Sequence, residues 1–149
     1  MKQLILTLSL CLCTAFVLSS CDGNQSIDGL AEQVWEYAKS HPDGFTLDLS
    51  TMTEPAQGIA VSYAATQGCH SREALTRVIR HAKWHCGYVG GWLDTDSGQY
   101  YFDSTRLFPE DQLEAAMAFG RKNGQVAVFI LSTRTEILLQ TTASPAYAY

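Results

Sequence analysis

Apolar side chains at Ile27, Leu30, Val34, Trp35 and Ala38 recur every three or four positions, which predicts an amphipathic helix over Asp28–Lys39. Pro42 and Gly44 stop it. The period then shortens to two. Phe45-Thr-Leu-Asp-Leu49 and Gly58-Ile-Ala-Val-Ser-Tyr63 read as strands, with Pro55 and Gly58 in the turn region between them. Helical spacing returns at Leu75, Val78, Ile79 and Ala82, behind Ser71 as N-cap and ahead of a stop at Gly87; Glu73 is spaced to pair with Arg77. Tyr88–Leu93 and Gln99–Phe108 predict two strands joined by the polar hairpin loop Asp94-Thr-Asp-Ser-Gly98.

The third helix carries the fullest set of end signals. Pro109 suits its first position, Glu110 and Asp111 its positive end, Arg121 and Lys122 its negative end, and Asn123-Gly124 the stop. Leu113, Ala116, Met117 and Gly120 form its apolar face. Val126–Leu131 is an unbroken apolar run, which predicts a central strand covered on both faces, and Glu136–Leu139 pairs beside it. The order α-ββ-α-ββ-α-ββ predicts an α+β fold: one compact domain over residues 27–140, a largely antiparallel sheet with three helices packed on it. Residues 141–149 have no period and read as a flexible tail.

Residues 1–20 follow a different rule. Lys2 precedes an apolar run from Leu4 to Val17, then small residues, the layout of a secretory signal. The run is shorter than the roughly 20 apolar residues a membrane-spanning helix needs. Leu18-Ser19-Ser20-Cys21 resembles a bacterial lipobox, which implies a mature chain starting at a lipidated Cys21. Each buried acyl methylene contributes about 0.8 kcal/mol, so two or three chains anchor durably. Residues 21–26 then form a tether of at most some 18 Å, which holds the domain beside a membrane.

Residues 1–20 carry one lysine and no acid, so 9 basic side chains oppose 15 acidic ones in the remaining 129 residues. That is one domain's length. Its negative balance disfavours nucleic acid, whose binding depends on neutralising phosphates. The cysteines remaining beyond Cys21 are Cys69 and Cys86. A helix between them holds them roughly 20 Å apart, against the 7 Å or so that a disulfide tolerates, and predicts free thiols.

Few residues advertise chemistry. His81 and His85 share one helix face at a spacing used by zinc sites, but Ala82 stands where the zincin glutamate belongs, and His70 or Cys86 would have to supply a third ligand. An exposed helix end explains the pair more simply. The Asp94–Gly98 loop breaks the calcium-loop register at Gln99 and Thr105, so it reads as a hairpin turn. No metal or cofactor is called. No nucleophile elbow, Walker loop or dinucleotide fingerprint occurs. Cys69 beside His70 reads as a core thiol next to a surface histidine, because neighbours on an extended segment face opposite ways. Gly90-Gly91 inside a strand marks a bulge or a close backbone approach.

The most unusual polar material is Thr66-Gln67 after the second strand and Tyr101-Phe-Asp103-Ser-Thr-Arg106 on the fourth. Tyr101, Asp103 and Thr105 share one strand face, and Tyr100, Phe102, Ser104 and Arg106 the other. One polar set is therefore either buried and paired or lines a cleft. The expected arrangement puts Tyr100 and Phe102 inward. Thr66, Gln67, Tyr101, Asp103 and Arg106 are the candidate cleft residues, with His81 and His85 as weaker alternatives.

Gly58-Ile-Ala-Val-Ser, Thr66-Gln67, the string GGWLDTDSGQYYFDS from Gly90 to Ser104, and Gly124-Gln125-Val-Ala resemble a domain family of phages, mobile elements and gut bacteria. The resemblance implies one compact domain and no particular reaction. Together with the lipobox it gives the expectation of a lipid-anchored binding module of the bacterial cell envelope. The outer membrane is the favoured location, and an envelope protein or small ligand the expected partner. The competing expectation is a nuclease- or toxin-like enzyme of the barnase and colicin ribonuclease type, using His81, Arg106, Thr66 and Tyr101.

Overall fold

The computed structural model describes residues 25–139. The predicted signal segment, the predicted lipidation site Cys21 and the predicted tail 141–149 lie outside the described residues. Three helices, α1 (Ile27–Ser40), α2 (Arg72–Trp84) and α3 (Leu113–Lys122), alternate with strand pairs β1 (Phe45–Asp48) and β2 (Ile59–Ser62), β3 (Tyr88–Asp94) and β4 (Gln99–Phe108), and β5 (Ala127–Ile130) and β6 (Thr135–Leu138). This is the predicted α+β order. All six strands form one antiparallel sheet in the order β1-β3-β4-β2-β5-β6.

Local chemistry sets the helix ends. Ser26 Oγ accepts from Gly29 N at 3.1 Å and Ser71 Oγ from Ala74 N at 3.1 Å, each satisfying a donor that the first turn leaves unpaired. Gly87, at φ +77°, closes α2 by donating to Ala82 O at 2.8 Å. The third helix begins differently from expectation: Pro109 leads a 3-10 turn over Glu110–Gln112, and α3 proper starts at Leu113. Glu73 does not pair with Arg77, whose guanidinium turns to Cys69 Sγ at 2.8 Å, while Arg72 pairs with Glu32 of α1.

Two hydrophobic clusters hold the layers together. One joins α1 and α2 to β1, β3 and β4 through Val34, Leu47, Leu75, Ile79, Val89 and Phe102. The other joins α3 to β2 and β5 through Ile59, Val61, Ala116 and Val128. Phe102, Ser104 and Phe108 alternate along one face of β4 and reach both clusters, so all three helices cover the same side of the sheet. Both clusters draw every buried residue from between Leu30 and Leu139, so a chain beginning at residue 22 retains the complete core.

The strand over Val126–Leu131 is not central and not covered twice. β5 lies one place from the sheet edge, next to β6; Val128 is buried, but Val126 is 79% exposed. Its apolar run meets helix on one side only. Gly90-Gly91 makes no bulge, since the β1–β3 and β3–β4 registers run unbroken through it. Close approach is the reason for Gly91: a Cβ there would sit 2.6 Å from Phe45 Cζ and 3.0 Å from Phe102 Cδ1. Cys69 is buried, Cys86 exposed, and both are free thiols.

Candidate functional site

The face of the sheet opposite the helices carries a trough of about 790 Å³. Its floor is built from small side chains: Thr46 on β1, Gly90 on β3, Thr105 on β4, and Ala60 and Ser62 on β2. Glu54-Pro55-Ala56, from the connection between β1 and β2, form one wall, and Phe129 of β5, Arg134 of the turn after it and Glu136 of β6 form part of another. Thr46 and Thr105 are 6% and 2% exposed although no helix lies over them. Those two threonines are nearly out of water.

Asp103 stands on that floor. It pairs across the sheet with Gly90, where the position a Cβ would take lies 2.9 Å from Thr105 Oγ1. Oδ1 is buried without a hydrogen-bond partner among the described residues. Burial alone pushes the Asp103 pKa up to about 6, because no neighbouring donor or cation offsets the desolvation of its charged form. At neutral pH the group is a largely ionised carboxylate in a poorly solvated place, a free-energy cost that an incoming donor would relieve.

The rim is aromatic. Trp92, 47% exposed, stacks on its cross-strand partner Tyr101 with ring centroids 5.1 Å apart and planes at 17°. The charged side chains lining the trough are Asp43, Glu54, Asp103 and Glu136 against Arg134. Glu54 is partly occupied, accepting from Tyr37 Oη at 2.8 Å. The balance is acidic.

The other predicted residues lie on the helix side. Arg106 shares the face of Phe102, and its guanidinium covers Phe108 and Phe119 at 4.5 and 5.2 Å from the ring centroids. Thr66, 1% exposed, accepts from Ser104 N through Oγ1 at 2.9 Å, a packing role. Gln67 is exposed at the end of a 3-10 turn. His81 Nδ1 lies 2.9 Å from Ser104 Oγ, and its ring stacks on His85 at 3.9 Å. Burial, then the neighbouring His85, lowers the His81 pKa. Tyr63 packs against both histidines at 4.9 Å and reaches Cys86 Sγ at 3.7 Å; burial, then that contact, pushes its pKa up to about 12. No group of three or more His, Cys, Asp or Glu among the described residues is placed to hold a metal ion.

Tyr101 and Asp103 therefore belong to one surface, and Thr66, Arg106, His81 and His85 to another. Thr46, Ser62, Trp92 and Thr105 are among the lining residues absent from the predicted set. The alternation that puts Thr105 beside Asp103 was readable; the strands that flank them were not.

No family model, curated protein or solved structure matches the chain. The site's chemistry rests on its own geometry.

Proposed function

We propose that the protein is a lipid-anchored binding module of the bacterial cell envelope that takes its ligand on the uncovered face of the sheet. The observation that carries the reading is Asp103 Oδ1, buried without a partner among the described residues on the floor of an open trough. Three features support a position beside a membrane. The apolar run before Cys21 ends in a lipobox-like sequence, and the tether that follows is short. The solvent face of α2 carries Arg77, Arg80 and Lys83 with Trp84, which is 83% exposed, a composition suited to an anionic bilayer surface. The Arg72–Glu32 pair ties the start of α2 to the N-terminal half of α1, the helix that follows the tether.

Two measurements test the proposal separately. Mass spectrometry of the membrane-extracted protein should find acyl groups on Cys21; an unmodified thiol there, on protein recovered from the cytosol, refutes the anchor. A ligand screen by amide NMR on the chain from residue 22 should move Thr46, Gly90 and Thr105 together. Movement confined to the helix side refutes the binding face.

The second reading, a nuclease-like enzyme, draws on the meeting of His81, Tyr63, Ser104 and Arg106 between α2 and α3. Thr66 and Ser104 are sealed there, 1% and 0% exposed, and Tyr101 is on the other face. RNA cleavage by the wild type that disappears in His81→Ala would establish this reading over the first.

A further inference from the structure

We infer that the trough binds an organic cation, an ammonium or guanidinium group on an extended stem, with Asp103 as its counter-charge. This rests on the reading of the uncovered face as the ligand surface, and it names the class of ligand that face takes.

Asp103 Oδ1 has no donor among the described residues of its own chain. The ion pairs among the described residues are Lys39–Glu36 and Arg72–Glu32, so Arg134, the cation lining the trough, does not neutralise Asp103. The hydroxyls beside it are otherwise directed: Thr105 Oγ1 donates to the backbone oxygen of Asp103 at 3.4 Å, not to its carboxylate. A neutral ligand with a hydroxyl would satisfy the hydrogen bond and leave the charge. An anion would meet Asp43, Glu54, Asp103 and Glu136 together. A cation satisfies both hydrogen bond and charge.

The rim fits the same class. Trp92 is two residues along β3 from Gly90, on the same face, which places its ring roughly 7 Å along the strand from the position opposite Asp103. An exposed indole beside an anionic floor favours a cationic head and the methylenes of its stem. The trough volume is in the range of small-ligand sites. Ala60, Ser62 and Gly90 are small, so none of them projects bulk into the trough. The same chemistry can arrive as a free amine or as a basic side chain of a peptide.

The test is a titration of the chain from residue 22 with four probes: cadaverine, a capped peptide carrying a single lysine, pentanediol and glutarate. The cadaverine or peptide arm should shift the amides of Thr46, Gly90 and Thr105 and the indole of Trp92 to saturation. Whichever binds more tightly identifies the source. Pentanediol and glutarate should bind at least about tenfold more weakly. Asp103→Asn should weaken the amine by a similar factor and leave the urea midpoint no lower. Equal binding of pentanediol or glutarate, or unchanged amine binding in Asp103→Asn, overturns the cation assignment while leaving the face as the ligand surface. Should the variant not fold, the charge series on the wild type still decides. If no probe moves these amides, the cation assignment falls, and the wider ligand screen decides the face itself.

Discussion

Asp103→Asn should make the domain relatively more stable as pH rises, a direction opposite to most substitutions of a buried polar residue. The folded pKa of about 6 stands above the ordinary value of 3.8. Well below pH 3.8 the carboxyl is neutral in both states and costs the fold nothing through its charge. As pH rises through this window the unfolded chain releases its proton first, so stability falls until the folded carboxyl has also ionised. The full difference, about two pKa units, corresponds to about 3 kcal/mol, of which about 2 kcal/mol is lost between pH 4.5 and 7.5. Asparagine does not titrate. Its amide also lacks partners, at a cost of about 1–3 kcal/mol that is the same at both pH values. The informative quantity is therefore the change with pH of the difference between variant and wild type. Urea unfolding at pH 4.5 and 7.5, followed by tryptophan fluorescence, should show Asp103→Asn gaining about 2 kcal/mol on the wild type over that interval. A difference that stays constant with pH would refute the reasoning, since it would place the carboxyl in water.

Ser71→Ala should cost about 1 kcal/mol by removing the acceptor for Ala74 N, seen as a fall of roughly 4 °C in Tm. Gly91→Ala should destabilise by about 1–3 kcal/mol in urea unfolding, because the new methyl meets the Phe45 and Phe102 rings. Gly90→Ala meets one side-chain oxygen, Thr105 Oγ1 at 2.9 Å, so its unfolding cost should be smaller while amine affinity, read by titration, falls as the floor fills. In the chain from residue 22, a thiol reagent should modify Cys86 quickly and Cys69 only after unfolding, as a timed absorbance assay will show.

The elements were legible because their signals are local. Caps at Ser71 and Gly87, the stripe Leu75–Val78–Ile79–Ala82 and the Asp94–Gly98 turn each act within a few residues of themselves. Strand order is not local. β1 and β2 follow each other in the chain, yet the hairpin of β3 and β4 lies between them in the sheet, and nothing in Phe45–Tyr63 records that insertion. The walls and floor of the trough come from strands far apart in sequence, which is why Thr46 and Ser62 could not be placed beside Asp103. Val126–Leu131 misled for a related reason: an apolar run reports affinity for a dry surface, and it does not count how many faces will be covered. The separation of Asp103 from Arg106 was readable, since one sits at an odd and the other at an even position of the same strand. Their polarity grouped them; their parity divided them.

That division gives the two faces of β4 different physics. On the helix side every polar group has been given something to do: Ser104 holds His81, Thr66 holds the Ser104 amide, and Arg106 lies on two aromatic rings. On the open side Asp103 Oδ1 has no hydrogen-bond partner among the described residues. Desolvation of Asp103 and attraction for a cation are the same quantity seen from opposite sides. A ligand that restores the carboxylate to its ordinary pKa recovers about two powers of ten in affinity from that relief alone. The instability that pH exposes in the free domain is thus the reserve on which the proposed cation binding would draw.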